Sequence, residues 1–168
     1  IEKAQYVAFL TEAYHHVKHT VPLLMACGSR LDEPHHGLRA ATVEYIAEEA
    51  GHEEWILADI AACGGNPDAV RASTPHASTE VMVAFAYHQI DRRNPVGFFG
   101  MVHVLEGTSV ALATHAAGAI QQSLQLPDAA FTYLTSHGSL DQEHVRFFER
   151  LMNGLTDPED KASVIHCA

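Results

Sequence analysis

Apolar residues recur at intervals of three and four positions along most of this 168-residue chain, which is the period of an amphipathic α-helix. Turn-forming residues are few and widely separated, and clusters of β-branched residues are scarce. The pattern therefore predicts an all-α fold with five main helices and two short ones. The main helices are predicted over residues 2–31, 35–63, 78–92, 95–124 and 127–153, and the short ones over residues 67–72 and 157–165.

Prolines mark several of these boundaries. Pro34, Pro95 and Pro127 stand at predicted helix starts, where the missing N–H of proline leaves no helical hydrogen bond unmade. Pro22 lies inside the first predicted helix and is expected to kink or split it. Because no fixed-period repeat and no interdomain linker is visible, residues 1–168 are predicted to form a single helical domain. Bundles of this type place metal and cofactor sites on facing helices.

The charge balance excludes several classes of partner. Lys and Arg number 10 and Asp and Glu number 21, so the formal net charge is −11. A nucleic-acid-binding surface or charge-driven attachment to a membrane is therefore not expected. No apolar run approaches the roughly 20 residues that span a bilayer, so no membrane helix is expected either. Three well-separated cysteines suit a reducing compartment, and we expect a cytoplasmic protein.

The fifth predicted helix carries His137, Asp141 and His144 at offsets of four and seven residues, which places them on one helical face. Histidine is unusually abundant, with 13 residues against 10 for Lys and Arg together. Two imidazoles and a carboxylate form a donor set that first-row divalent metals accept. The alternative is a polar stripe on a solvated helix face.

The second predicted helix carries Glu49 and His52, at the Glu-x-x-His spacing that di-iron and di-manganese carboxylate bundles use. Glu48 shares their side of the helix, and Tyr45 lies beneath them as a candidate redox or hydrogen-bonding neighbour. Asp59, farther along, is expected to support this pair or to lie in the core. The alternative is an exposed acidic face.

The fourth predicted helix carries one carboxylate, Glu106, in an otherwise apolar segment. A buried carboxylate costs several kcal/mol unless it is paired or bound to a metal, so Glu106 is either a metal ligand or the partner of a buried base. Gly100, Gly107 and Gly118 on this helix are expected where another helix or a substrate approaches closely.

The first predicted helix repeats the four-and-seven spacing with Glu12, His16 and His19, and His15 lies beside them. This stripe could add one metal ligand, with Glu12 or His16 preferred, or it could be a plain polar face. In a second hypothesis, His16 or His19 is the axial ligand of a haem. Together, the carboxylates and imidazoles of separate helices suit two divalent iron or manganese ions.

These motifs also carry a resemblance. The run Glu48-Glu-Ala-Gly-His52-Glu-Glu-Trp55, followed by Glu106 and by His137-x-x-x-Asp141-x-x-His144, resembles the haem-oxygenase-like di-iron oxidases and oxygenases. The wider group includes haem oxygenase, the TenA thiaminase-like proteins and PqqC. The resemblance implies a haem-oxygenase-like helical bundle in which two Fe(II) ions activate O₂ on a small substrate. It also implies that Glu49, His52, Glu106, His137, Asp141 and His144 are the ligands.

The sequence therefore predicts a metal-dependent oxidase or oxygenase whose partners are O₂ and a small organic molecule. Two alternatives stay open: a protein that binds or degrades haem or another tetrapyrrole, and a non-catalytic binding module of the same fold. A homodimer is the expectation from the frequency of such assemblies.

Overall fold

A computed structural model describes the backbone of residues 1–168 and the side chains of residues 1–136 and 145–168. Along this backbone lie nine α-helices, joined by short loops and three short 3₁₀ turns, and no strand. The predicted all-α class is confirmed. The helices are α1 (Lys3–Val17), α2 (Thr20–Arg30), α3 (His36–Glu49), α4 (His52–Ala62), α5 (Pro67–Arg71), α6 (Ala77–Arg92), α7 (Phe98–Leu124), α8 (Thr132–Asn153) and α9 (Pro158–Cys167).

The first predicted helix is split, as Pro22 indicated, and the break lies one turn before the proline. Helix α1 ends at Val17, and α2 begins at Thr20 with Pro22 in its first turn. Proline cannot donate a hydrogen bond to the carbonyl four residues earlier, and its ring clashes with that carbonyl. The carbonyl concerned belongs to Lys18, so the continuous helix ends there.

The second predicted helix is not continuous, and this part of the prediction is wrong. Helix α3 ends at Glu49, and α4 begins at His52. Between them Ala50 is extended, with ψ 117°, and Gly51 has φ 94°. That φ lies in the left-handed region, which glycine adopts without steric cost and other residues rarely adopt. The corner at Gly51 turns the chain between the two predicted metal-ligand residues.

Helices α7 and α9 pack closely because glycine lines their contact. A Cβ at Gly100 would overlap the carbonyl oxygen of Val164, and one at Gly97 would lie 2.5 Å from Ser163 Oγ. Gly100 thus fits the expectation of a close approach. At Gly107 and Gly118, none of the described atoms lies within 4 Å of a Cβ built there, so the expectation for these two glycines stays a prediction.

Two hydrophobic clusters form the core. One joins α1, α4 and the start of α8 around Tyr6, Leu10, Ile56, Ile60 and Phe131. The other joins α2, α6, α7 and α8 around Leu24, Ile90, Phe99 and Phe148. Side chains from both clusters line a cavity inside the bundle.

The segment Pro95–Leu124, which contains α7, is more apolar than the sequence analysis allowed. Its length and its mean hydropathy of 1.5 would suffice for a membrane span. Core helices of globular proteins meet the same criterion, and α7 packs along α8 and against α9. The segment also contains the buried carboxylate of Glu106. We therefore describe α7 as a core helix.

Candidate metal centre

The cavity has a volume of about 410 Å³ and is lined mainly by apolar side chains. This volume is in the range of small-molecule sites in proteins. Aliphatic and aromatic groups from α1, α2, α6, α7 and α8 form most of the wall. Eight polar side chains also line the cavity, and four of them, His16, Tyr45, Glu49 and Glu106, were singled out from the sequence.

Two predicted metal ligands, Glu49 of α3 and Glu106 of α7, line this one cavity. Their relative exposures are 4% and 6%, so both carboxylates are buried. His16 of α1 and Tyr45 of α3 line the same cavity. The ring of Tyr45 packs edge-on against Phe148, with 5.1 Å between ring centroids, which fixes its orientation. Acidic, imidazole and phenol groups from three helices therefore share one interior space.

His52 joins this group through Glu49. Its Nδ1 lies 3.1 Å from Glu49 Oε2, and its ring stacks on Trp55 with 4.0 Å between centroids. The contact crosses the corner at Gly51, so two helices bring the Glu-x-x-His pair together, and not one helical turn as predicted. Glu48, one residue before Glu49, is exposed and lies outside the cavity lining.

The remaining predicted ligands, His137, Asp141 and His144, lie outside the described side chains. Their backbone belongs to α8, which packs along α7, and Tyr133 and Leu134 at the start of α8 line the cavity. Within residues 1–136 and 145–168, no three His, Cys, Asp or Glu side chains are arranged to hold a metal ion. The described donors alone thus do not form a complete site.

Glu12 and His19 lie elsewhere, although both share a predicted stripe with His16. The Glu12 carboxylate accepts hydrogen bonds from the backbone N–H of His76, at 3.1 Å, and from the hydroxyl of Thr79, and so links α1 to the start of α6. The bond from Thr79 is the main cause that lowers the Glu12 pKa. His19 Nδ1 lies 3.3 Å from the hydroxyl of Tyr87, at a second cavity. Of this stripe, His16 alone lines the main cavity.

Asp59 holds the start of α8 in place. Its two carboxylate oxygens accept the N–H groups of Thr132 and Tyr133, at 3.0 and 2.9 Å, and the residue is fully buried. Burial raises the pKa of this carboxyl, against the lowering by these bonds. A carboxylate is favourable at a helix N-terminus, where N–H groups lack helical partners. Asp59 thereby orients the helix that carries Tyr133 and Leu134 into the cavity wall.

Three hydroxyl groups that were not predicted from the sequence also line the cavity, those of Thr20, Thr108 and Ser109. Ser109 lies three residues after Glu106 on α7, and residues three apart share a helix face. A polar residue at that offset from a carboxylate, in a long apolar helix, is a signal that could have identified it.

The donor set fits a transition metal. Buried carboxylates and imidazoles are the oxygen and nitrogen ligands that first-row divalent ions accept. Two carboxylates in a mainly apolar cavity are costly unless a cation or hydrogen-bond donors compensate them. The chemistry of Glu49, His52 and Glu106 is therefore that of a partial metal centre.

Comparisons with known proteins agree with this geometry. Residues 7–168 match a protein family described as iron-containing redox enzymes. Among solved structures, the chain is similar to a domain of unknown function with a haem oxygenase-like fold from Shewanella denitrificans OS217. The TM-score is 0.90 at 28% identity, over 98% of this chain and 71% of that chain, which confirms the predicted haem-oxygenase-like bundle. No curated protein matches the chain.

Proposed function

The chain belongs to the family of iron-containing redox enzymes, and from this premise we propose that it is a non-haem iron oxidase or oxygenase that uses O₂ on a small organic substrate. One observation carries the proposal. Two buried carboxylates, Glu49 and Glu106, come from different helices and line the same mainly apolar cavity.

Glu49, His52 and Glu106 would hold the iron, together with His137, Asp141 and His144 on α8. Two divalent ions suit this number of ligands, as in other carboxylate-bridged bundles. Iron bound there would supply the redox chemistry with O₂ that protein side chains cannot perform. Manganese accepts a similar donor set and is the alternative metal.

The chain's own groups bind and orient the substrate. Apolar side chains such as Leu23, Phe98 and Val102 keep water from the cavity and select a substrate with a mainly apolar body. The hydroxyl groups of Tyr45 and Ser109 offer it hydrogen bonds. Phe9, Leu105 and Leu112 line the cavity while 47%, 37% and 58% exposed, so they form its apolar entrance.

A second candidate function is haem binding, and the position of His16 is the observation that favours it. Its imidazole lines the cavity, where it could be an axial ligand. His19 does not support this candidate, because it lies at the second cavity beside Tyr87.

Anaerobic reconstitution with Fe(II), followed by metal analysis and Mössbauer spectroscopy, tests the proposal. We expect about two iron ions per wild-type chain. In the Glu106→Gln variant we expect at least half of this iron to be lost, and any remainder to bind about tenfold more weakly or worse. Glu44→Gln is the matched control, because Glu44 is exposed on α3 and lies outside the cavity lining, and it should keep the full iron content.

The proposal would be wrong if the wild-type chain held no iron above background, or if Glu106→Gln held as much iron as wild type. It would also be wrong if the chain bound iron but consumed no O₂ with any substrate tested. A Soret band on adding haem, lost in His16→Ala, would favour the second candidate. The cytoplasmic location and the homodimer stay predictions, which cell fractionation and light scattering can check.

A further inference from the structure

A second cavity, of about 340 Å³, lies between the α1–α2 junction and α6. Residues around the junction divide between the two cavities. His16 and Thr20 line the candidate metal centre, whereas His15, Lys18 and His19 line the second cavity. Val83 of α6 lines both and separates them. The histidine-rich segment that the candidate metal centre does not use is therefore the wall of another space.

Lys18 brings a positive charge to this second cavity, and no described carboxylate lies within 4.0 Å of its ammonium group. Its Nζ lies 3.1 Å from His15 Nδ1 and 5.2 Å from the centre of the Tyr14 ring. None of the ion pairs among residues 1–136 and 145–168 involves Lys18. In a protein with a net charge of −11, a cavity-lining ammonium held by neutral groups is an unusual arrangement.

His15 holds Lys18 in place and stays neutral. Because the ammonium donates to His15 Nδ1, the ring proton is on Nε2 and is donated to Ser73 Oγ at 2.8 Å. Ser73 in turn donates to the carbonyl of Val70, at 2.8 Å. Burial, and then the Lys18 charge, lower the pKa of His15, which is 1% exposed. The side chain of Lys18 is thus held at the cavity wall by a neutral imidazole.

The other lining groups define the ligand chemistry. His19 and the Tyr87 hydroxyl provide hydrogen-bonding groups, 3.3 Å apart. Val83 and Ala84 provide apolar surface, so the space suits an organic body better than an inorganic ion. Glu80 also lines the cavity, and its carboxylate disfavours a second negative charge on the ligand.

We propose that the second cavity binds a small organic monocarboxylate, with Lys18 as its charge partner and Tyr87 and His19 as its hydrogen-bonding partners. The carboxylate lies against the ammonium, and the short apolar body lies against Val83 and Ala84. This site is independent of the proposed iron chemistry, since none of its polar residues lines the main cavity.

Calorimetric titration of the iron-reconstituted protein with sodium butyrate tests the proposal. We expect saturable binding to wild type, at least about tenfold weaker binding to Lys18→Met, and about threefold weaker binding to Tyr87→Phe. Lys3→Met is the matched control, because Lys3 is exposed at the start of α1, the helix that Lys18 directly follows, and its affinity should equal that of wild type. Sodium phosphate should bind at least about tenfold more weakly than butyrate.

NMR of the protein with carbon-13-labelled histidine rings shows which cavity butyrate occupies. Butyrate should shift the His15 and His19 signals and leave His166, on α9, unchanged. Equal affinity in Lys18→Met and wild type, or tighter binding of phosphate than of butyrate, overturns the proposal. Loss of butyrate binding in Glu106→Gln also overturns it, because the ligand would then be in the main cavity. Circular dichroism checks folding, and Tyr87→Phe decides the question if Lys18→Met does not fold.

Discussion

Gly100 shows how a single missing side chain sets the distance between two helices. The space that its Cβ would need is occupied by the carbonyl oxygen of Val164 on α9. Backbone atoms cannot move aside as a flexible side chain can. The C-terminal helix therefore owes its close contact with α7 to this residue.

Gly100→Ala should lower the free energy of unfolding by about 1–3 kcal/mol, although alanine favours helix more than glycine does. Gly118→Ala is the matched control on the same helix, since no described atom would lie within 4 Å of its new methyl group. It should raise stability by up to about 1 kcal/mol. Urea denaturation measures both variants, and equal effects would contradict the packing argument.

His35 links the loop before α3 to the C-terminal helix. Its Nε2 lies 2.7 Å from Asp160 Oδ2, and Nδ1 contacts Asp32. Asn94 also donates to Asp160, at 2.8 Å. The hydrogen bond with Asp160, and then that with Asp32, raise the His35 pKa, against the opposing effect of burial.

The stabilisation by protonated His35 should therefore depend on pH. Its pKa in the folded state is raised above the unfolded value of about 6.5. The stabilisation by the charged imidazole is therefore complete below about pH 6.5, and it is lost as the pH rises through the folded-state pKa. The stability difference between wild type and His35→Gln should be about 1 kcal/mol larger near pH 5.5 than near pH 9. A difference independent of pH would contradict this prediction, because it would show that folding does not change the pKa of His35.

At the scale of helices, the sequence predicted most elements and one of the two places where a predicted helix is interrupted. Periodicity and prolines gave the starts of α6 and α7 to within three residues, whereas α8 begins about five residues after its predicted start. Pro22 indicated the split of the first helix, because proline acts locally. The break at Gly51 was missed, since a single glycine inside a helical pattern is often tolerated.

The same interruptions explain which of the predicted site residues lie at the main cavity and which do not. Glu49, Glu106, His16 and Tyr45 line the main cavity, as their helix faces indicated. His19 lies beyond the split at Lys18, so its position could not be read from a continuous helix. Glu12 is on the same helix as His16, but its partners lie in α6, about which sequence spacing carries no information.

Asp59 gives a prediction at this scale, because it fixes one helix relative to another. Asp59→Ala leaves two part-buried N–H groups of α8 without their acceptors and should cost about 2–4 kcal/mol of stability. Asp91→Ala is the control, since Asp91 is exposed at the end of α6, and it should change stability by less than about 0.5 kcal/mol. Thermal unfolding followed by circular dichroism measures both, and comparable losses would remove Asp59 as the anchor of α8.

In the whole molecule, the proposed iron ligands come from α3, α4, α7 and α8, and the cavity lies where two core clusters meet. An ion bound by these helices would connect parts of the chain that are far apart in sequence. A sequence can indicate each donor separately. It cannot indicate the volume or the apolar wall of a cavity that several distant segments build together.

Iron should therefore raise the stability of the whole protein. At a free Fe(II) concentration about 100 times the dissociation constant, the expected gain is about 2.7 kcal/mol, or roughly 5–10 °C in Tm for a chain of this size. Anaerobic calorimetry with and without a chelator measures this change. Glu106→Gln should show a smaller increase than the exposed control Glu44→Gln, and an identical increase in the two would place the ion elsewhere.

The corner at Gly51 has a mechanical consequence for the pair that flanks it. In one unbroken helix, the rise per residue would hold Glu49 and His52 at a set spacing. Here, α3 and α4 meet at Gly51, whose positive φ glycine adopts without steric cost and other residues rarely adopt. A change in the Gly51 torsions would move the two side chains apart or together without breaking a hydrogen bond within either helix, which would suit the proposed ligands of an ion whose radius changes with its oxidation state.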